Sequence, residues 1–502
     1  MGRRSGTTYV RGHLTMTSLR EKIRSLLVAG LIVGAAIAEW SVTARAEDPS
    51  ARALVSPPPA LAIDRADTAF VMIAAALVML MTPGLGLFYA GMVRRKNVLA
   101  TFQQSFIMLG VISLQWILFG YSLAFAPDAF AGLIGGLNFI GLKNVGLEPN
   151  ADYAATIPHQ LFMVYQLMFA VITPALISGA FAERMKFSAY LAFTLLWATF
   201  VYDPVAHWVW GPGGWIKAMG ALDFAGGLVV HISSGVAALC CVIVMGKRRG
   251  HGTEEMHPHN LTMTMLGTGL LWFGWFGFNA GSALAANGSA VAAFVNTNTA
   301  AAAAVVSWSL IEWFHKGKAT VLGACSGAVA GLVAVTPAAG FITPLGAIIL
   351  GLLVSFVCYG AIMLKGGLGY DDSLDVFGVH GVGGIFGALG VGFLAQAGIS
   401  GDVNGLFNGN PNLLLYQAIS VAAAAGYSFV VSFVLLKVID ATIGLRVSDE
   451  EEEIGLDLSQ HGERGYIMGG SELIGGHESN VHSTIPALSQ MAGEPYGERI
   501  NA

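Results

Sequence analysis

Charge is what this chain lacks. Of its 502 residues, 26 are Lys or Arg and 31 are Asp or Glu, together 11%, where an ordinary soluble domain carries about 25%. A water-soluble fold of this length would need far more charge to cover its surface. The shortage of basic residues excludes a nucleic-acid binder, which shows a basic patch or arm. Four cysteines cannot staple a chain this long, so a disulfide scaffold is excluded too. A hydrophobic content of 55% excludes a disordered chain. No nucleophile–base arrangement, P-loop or dinucleotide fingerprint occurs, so neither an enzyme, a cofactor nor an ATP drive is expected. What remains is an all-α polytopic membrane protein.

What is present is a series of long charge-free runs: 68–93, 97–127, 153–182, 187–202, 224–246, 256–311, 319–364, 376–401 and 403–436. A spanning helix needs about 20 mainly apolar residues. The runs of 56 and 46 residues, 256–311 and 319–364, hold two spans each and the other seven hold one. The run 187–202 must borrow flanking residues. Eleven transmembrane helices are expected.

Orientation follows from Lys and Arg in the short loops. With the first span running inward, the cytosolic loops hold Arg94, Arg95, Lys96, Arg184, Lys186, Lys247, Arg248, Arg249, Lys316, Lys318 and Lys365. The outer loops hold only Lys143 and Lys217. The N-terminus is therefore expected outside and the C-terminus inside.

The termini fit that sense. Residues 26–38 are an apolar stretch preceded by Arg20, Lys22 and Arg24, and Ala44-Arg45-Ala46 is a cleavage pattern. Residues 1–46 read as a secretory signal peptide, followed by a periplasmic segment over 47–67 and a membrane domain over 68–438. Residues 439–502 read as a cytosolic regulatory tail with no core of its own. It contains the acidic run 449–453 and a distal part, 466–502, rich in Gly, Ser and polar residues, that reads as disordered.

Two segments share a pattern. In ALDFAGGLVVH, Asp223 stands eight residues before His231; in DDSLDVFGVH, Asp372 stands eight before His380. Each Asp opens an apolar helix, where its carboxylate can cap free N–H groups at the positive end of the dipole. The first helix runs inward and the second outward. Spans 1–5 and 6–10 would then be inverted repeats, with the eleventh span an extra. Eight helical residues rise about 12 Å, a little under half of a hydrocarbon core of about 30 Å. Both histidines should lie near the midplane.

An ionisable side chain at that depth marks a conduction path or a proton relay. Neutral imidazole has one donor and one acceptor, so a facing pair can share a proton. The alternative is a pair of structural histidines bonded to backbone carbonyls, and repeat-related placement favours function. A metal site is disfavoured, because no nearby Cys or second carboxylate completes a ligand set. Asp223 and Asp372 read mainly as caps. The aromatic residues of 206–211 and 274–283 read as interface anchors, with a cation–π site as the alternative. Cys240, Cys241, Cys325 and Cys358 read as small core residues.

Several stretches resemble the ammonium transporter family (Amt/Mep/Rh), in particular its bacterial members: PGLGLFYAGMVRRKNVL (83–99), SGAFAERMKFSAY (178–190), PVAHWVWG (204–211), ALDFAGGLVVH (221–231), GWFGFNAGSA (274–283), LGACSGAVAGLVAVTP (322–337), DVFGVHGVGG (375–384) and GLRVSDEEEEIGLDLSQHGERGY (444–466). The resemblance covers residues 65–466 in order. It implies a homotrimer in the bacterial inner membrane, each protomer with its own pore for ammonium and methylammonium. By motif, Trp210, Phe169 and Ser282 would form the outer ammonium site, Phe169 and Phe278 the gate rings, and His231 and His380 the twin histidines of the pore. Asp223 would be the acidic residue near the outer site. The resemblance further implies a PII-type signalling protein as a partner of the tail. Two other readings are an ammonium sensor that signals through its tail and an Rh-like channel for neutral gas.

Overall fold

A computed structural model describes residues 61–399 and 401–466. The expected signal peptide, most of the 47–67 segment and the distal tail 467–502 lie outside the described residues.

The described chain is mostly helical. Ten helices are long and apolar enough to cross a bilayer: α1 (Arg65–Met92), α2 (Arg95–Phe125), α3 (His159–Phe181), α4 (Phe187–Met219), α5 (Gly227–Met245), α6 (Leu261–Ala283), α7 (Gly288–Lys316), α9 (Pro344–Leu368), α10 (Phe377–Leu394) and α11 (Pro411–Thr442). A shorter apolar helix, α8 (Val321–Val335), has 15 residues and rises about 22 Å. The charge-free runs 256–311 and 319–364 each divide into two helices as expected. α8 is short because the chain leaves the helix at Thr336 and runs buried and non-helical to Phe341. Such backbone is tolerated at membrane depth only inside protein, and here it is satisfied. Asn296 Nδ2 donates to the carbonyls of Ala339 and Ile342 at 2.8 and 2.7 Å, and Phe224 N donates to Pro337 O at 3.1 Å.

Short polar side chains set where the helices begin. Asp64 Oδ1 accepts from Ala66 N and Asp67 N at the start of α1, Asn260 from Met263 N at α6, and Thr343 from Gly346 N at α9. α6 packs along α1, α7 lies against α8 and α9, and α11 covers α5 and α10. Large apolar side chains such as Leu114, Phe273 and Phe356 point outward and exposed, as a lipid-facing surface requires. A small hairpin, β1 (Pro149–Asn150) with β2 (Ala154–Pro158), lies between α2 and α3.

The run 187–202 borrows flanking residues as expected: α4 continues through Asp203 to Trp210, breaks at 211–214 and resumes as the short helix Trp215–Met219. Asp203 is fully buried, and one carboxyl oxygen accepts from Gln115 Nε2 at 2.7 Å, so a charge-bearing residue sits within the helix rather than at its end. The proximal tail has no core of its own but docks on the start of α2. Its helices α12 (Asp449–Ile454) and α13 (Leu456–His461) bury Leu456 with Val447 and Ala100. They are tied down by Leu456 N donating to Asn97 Oδ1 and Ala100 N to Asp457 Oδ1, both at 2.8 Å.

Several of the basic residues grouped by loop position, Arg94, Arg184, Lys186 and Arg248 among them, come together around two acids and the proximal tail. Glu183 accepts from Arg94 N and Nε at 2.7 and 2.9 Å and from Arg248 Nη1 at 3.3 Å. Asp371 accepts from Arg248 N, Nε and Nη2 at 2.8 to 2.9 Å. The tail joins them: Lys186 N donates to Leu445 O at 3.0 Å, and Val447 N to Arg184 O at 3.1 Å.

Candidate functional site

The two Asp–His segments are built alike. Before α5, Asp223 Oδ1 accepts from Gly226 N and Gly227 N at 2.8 and 2.7 Å, and Oδ2 from Leu228 N at 2.7 Å. Gly226 takes φ +117° there, a turn that a Cβ would strain. Before α10, Asp372 Oδ2 accepts from Phe377 N at 2.8 Å. Both carboxylates cap as expected. Each cap is followed by a π-helical turn, Gly227–Ile232 and Phe377–Gly381, and each turn holds a histidine. Such widened turns are frequent at functional sites.

The turns bring the histidines together. His231 Nδ1 and His380 Nδ1 are 3.2 Å apart, and the rings lie 5.3 Å apart at 22°. The approach depends on glycine: a Cβ at Gly235 would run into the backbone of Gly381. Both histidines are buried. With Nδ1 facing Nδ1, one ring donates and the other accepts. His231 Nε2 has no hydrogen-bond partner among the described residues.

Three cavities follow one another through the described residues. The one at the expected outer end, about 350 Å³, is lined by Phe169, Trp210, Asp223 and Ser282 among others. A narrow one of about 10 Å³ is lined by Phe278, Trp275, His231, His380 and further apolar side chains. The one at the expected inner end, about 210 Å³, is lined by Phe88, Val329, Asp375 and His380 among others. No Asp, Glu, Lys or Arg lines the narrow section. Phe169 and Phe278 separate it from the outer cavity, with ring centroids 4.3 Å apart and each ring 1% exposed.

Trp210 lines the outer cavity, is half-buried and meets Phe169 in a T-shaped contact, centroids 5.9 Å apart at 83°. The indole is fixed by Nε1 donating to Asp223 O at 3.0 Å. Ser282 Oγ donates to Phe278 O at 2.9 Å, which leaves a lone pair to accept from a ligand. The structure therefore brings Phe169, Trp210 and Ser282 to one cavity, Phe278 to the next, and the histidine pair beyond it. Asp223 borders the outer cavity, while Asp372 lies at the inner end as a buried cap.

Two residues escaped the sequence reading. Tyr165, one turn before Phe169, reaches the carbonyls of Gly277 and Phe278 at 2.9 Å and Ser282 Oγ at 3.2 Å. Its signal was a hydroxyl in mid-span. Trp275 was expected at the interface as an anchor. It is 2% exposed and lies 5.5 Å from His231 at 21°, nearly parallel.

The family model described as Ammonium Transporter Family matches residues 69–466. An ammonium transporter of Bacillus subtilis is 56% identical over 402 residues, 80% of this chain and 98% of that protein. Among solved structures, Candida albicans Mep2 superposes with a TM-score of 0.74 at 38% identity, covering 80% of this chain and 90% of that one. A structure titled Sensor Amt Protein gives 0.73 at 30% identity, covering 79% and 98%. With most of its length matched by the family model and by relatives of nearly the same extent, this multi-pass membrane protein belongs to the ammonium transporter family.

Proposed function

We propose that the protein recruits ammonium at Trp210, Phe169 and Ser282, deprotonates it, and conducts ammonia past Phe278, His231 and His380 to a reprotonating inner cavity. The observation that carries this reading is the cavity series itself: aromatic and hydroxyl groups outside, an apolar constriction with a histidine pair in the middle, and a polar inner space. An aromatic face attracts a small cation, and a hydroxyl accepts from its N–H. A bare cation in the narrow section would lose its hydration without a counter-charge, which costs many kcal/mol. Potassium has no proton to release; ammonium has, and the neutral product fits an apolar path.

The architecture we propose has eleven spans, with α8 as the short one. The N-terminus lies outside and the C-terminus in the cytosol of a bacterial inner membrane. Spans 1–5 and 6–10 form the inverted repeat, supported by α1 lying along α6 and by the matching cap, π-turn and histidine of α5 and α10. Three protomers form the working unit, each with its own pore. The proximal tail is the contact for a PII-type signalling protein.

The test is ammonium-evoked current in proteoliposomes, wild type beside a His231→Ala/His380→Ala variant. The expected result is a wild-type current that the variant loses. Ammonia flux without current in the wild type would reject the electrogenic route and leave a passive gas path.

A further inference from the structure

The outer cavity has a cation of its own. Lys217 sits on the short helix Trp215–Met219, and its Nζ donates to the carbonyl oxygen of Trp210 at 3.1 Å. That carbonyl ends the helix Asp203–Trp210, where carbonyls lack intrahelical partners and the dipole is negative. Among the described residues lining the cavity, Lys217 is the one basic side chain, accompanied by Asp152 and Asp223. The two acids are not equivalent. Asp223 is buried, and its carboxylate is committed to the backbone N–H groups of the α5 cap. Asp152, in the hairpin turn between β1 and β2, is exposed at the mouth, as is Lys217.

A primary ammonium group therefore hangs from the backbone of the same tryptophan whose ring faces the cavity. Resting on the transport reading above, this arrangement places a fixed like charge beside the recruited ion. A conducting site must bind well enough to fill and weakly enough to release. An aromatic wall and a hydroxyl favour filling; a resident cation favours release. We propose that Lys217 and Asp152 together set the ammonium affinity of the outer cavity, Lys217 weakening retention and Asp152 offsetting it.

The experiment measures ammonium-evoked current against ammonium concentration in proteoliposomes, at low and high background salt. Lys217→Gln is expected to lower the half-saturating ammonium concentration about 2- to 5-fold at low salt, the scale of one exposed charge acting through water. Asp152→Asn should raise it. Lys217→Arg, which keeps the charge, should follow the wild type. The differences should fade near 1 M salt, where the screening length is about 3 Å. Equal shifts in the Gln and Arg variants, or shifts indifferent to salt, would overturn the proposal in favour of a packing role at the Trp210 carbonyl. A saturating wild type matched by the Gln variant fails this inference alone. A wild type without saturable ammonium current fails the transport reading, and this inference with it.

Discussion

The separation of the two imidazoles decides what they can exchange. At 3.2 Å between Nδ1 atoms, one proton lies between the rings, and its position fixes the tautomer of both. The pairing was legible in the sequence, because two equal Asp–His intervals, on helices expected to run in opposite senses, would place both rings at one depth. Trp275 was not legible. α6 is apolar on all sides, so periodicity does not name its inward face. Its position is held by Nε1 donating to Thr336 Oγ1 at 2.9 Å, an acceptor on the buried non-helical stretch after α8. Thr336→Val keeps the shape and removes the acceptor. A buried indole N–H left unsatisfied costs about 1–3 kcal/mol. The variant should therefore melt at a lower temperature in detergent and carry less ammonium current, since the indole lies on His231. An unchanged melting temperature would mean that packing alone orients the ring.

At the scale of elements, each charge-free run coincides with one or two long apolar helices, and the shortest, 187–202, extends past its own boundary. The count treats every carboxylate as a boundary, and Asp203 is an exception made possible by a partner 88 residues earlier. Gln115 and Asp203 each adjoin a π-helical turn, Trp116–Gly120 in α2 and Ala198–Tyr202 in α4. Gln115 Nε2 donates to Asp203 Oδ2 at 2.7 Å and more weakly to Thr199 Oγ1 at 3.3 Å. The pair clasps α2 to α4. Asp203→Asn retains a carbonyl acceptor and should melt close to the wild type. Asp203→Leu leaves the Gln115 donor almost unserved and should lose stability on the order of 1–3 kcal/mol. Equal losses in the two variants would assign the effect to side-chain shape instead of the hydrogen bond.

Over the whole molecule, the grouping of several basic loop residues was readable from the sequence, while the docking of the tail was not. The run 449–453 reads as a solvated acidic patch, yet Glu452 is 1% exposed and accepts from Arg249 N and Arg446 Nη2 at 2.7 and 2.6 Å. Its partner Arg249 lies 203 residues away, and no local pattern announces a contact of that separation. Arg248 is central to this group because it serves both Glu183 and Asp371. Burial alone would raise the Glu183 carboxyl; Arg248 and Arg94 outweigh it and hold the group below the usual carboxylate range. Burial likewise opposes ionisation of Asp371, and Arg248 and Arg184 again prevail and hold it low. Both groups titrate lower folded than unfolded. The stability they supply is complete above about pH 5 and is lost as pH falls from there through the folded values. Arg248→Gln removes the shared partner and leaves two buried carboxylates, a loss of about 3 kcal/mol or more at pH 7. It also lets both acids take up protons at higher pH, so the acid limb of the stability profile should move upward. Melting temperatures of the detergent-solubilised protein from pH 7 to pH 3 would read both effects. A variant whose melting temperature follows the wild type at every pH would show that the tail and loops hold this region together without the arginine.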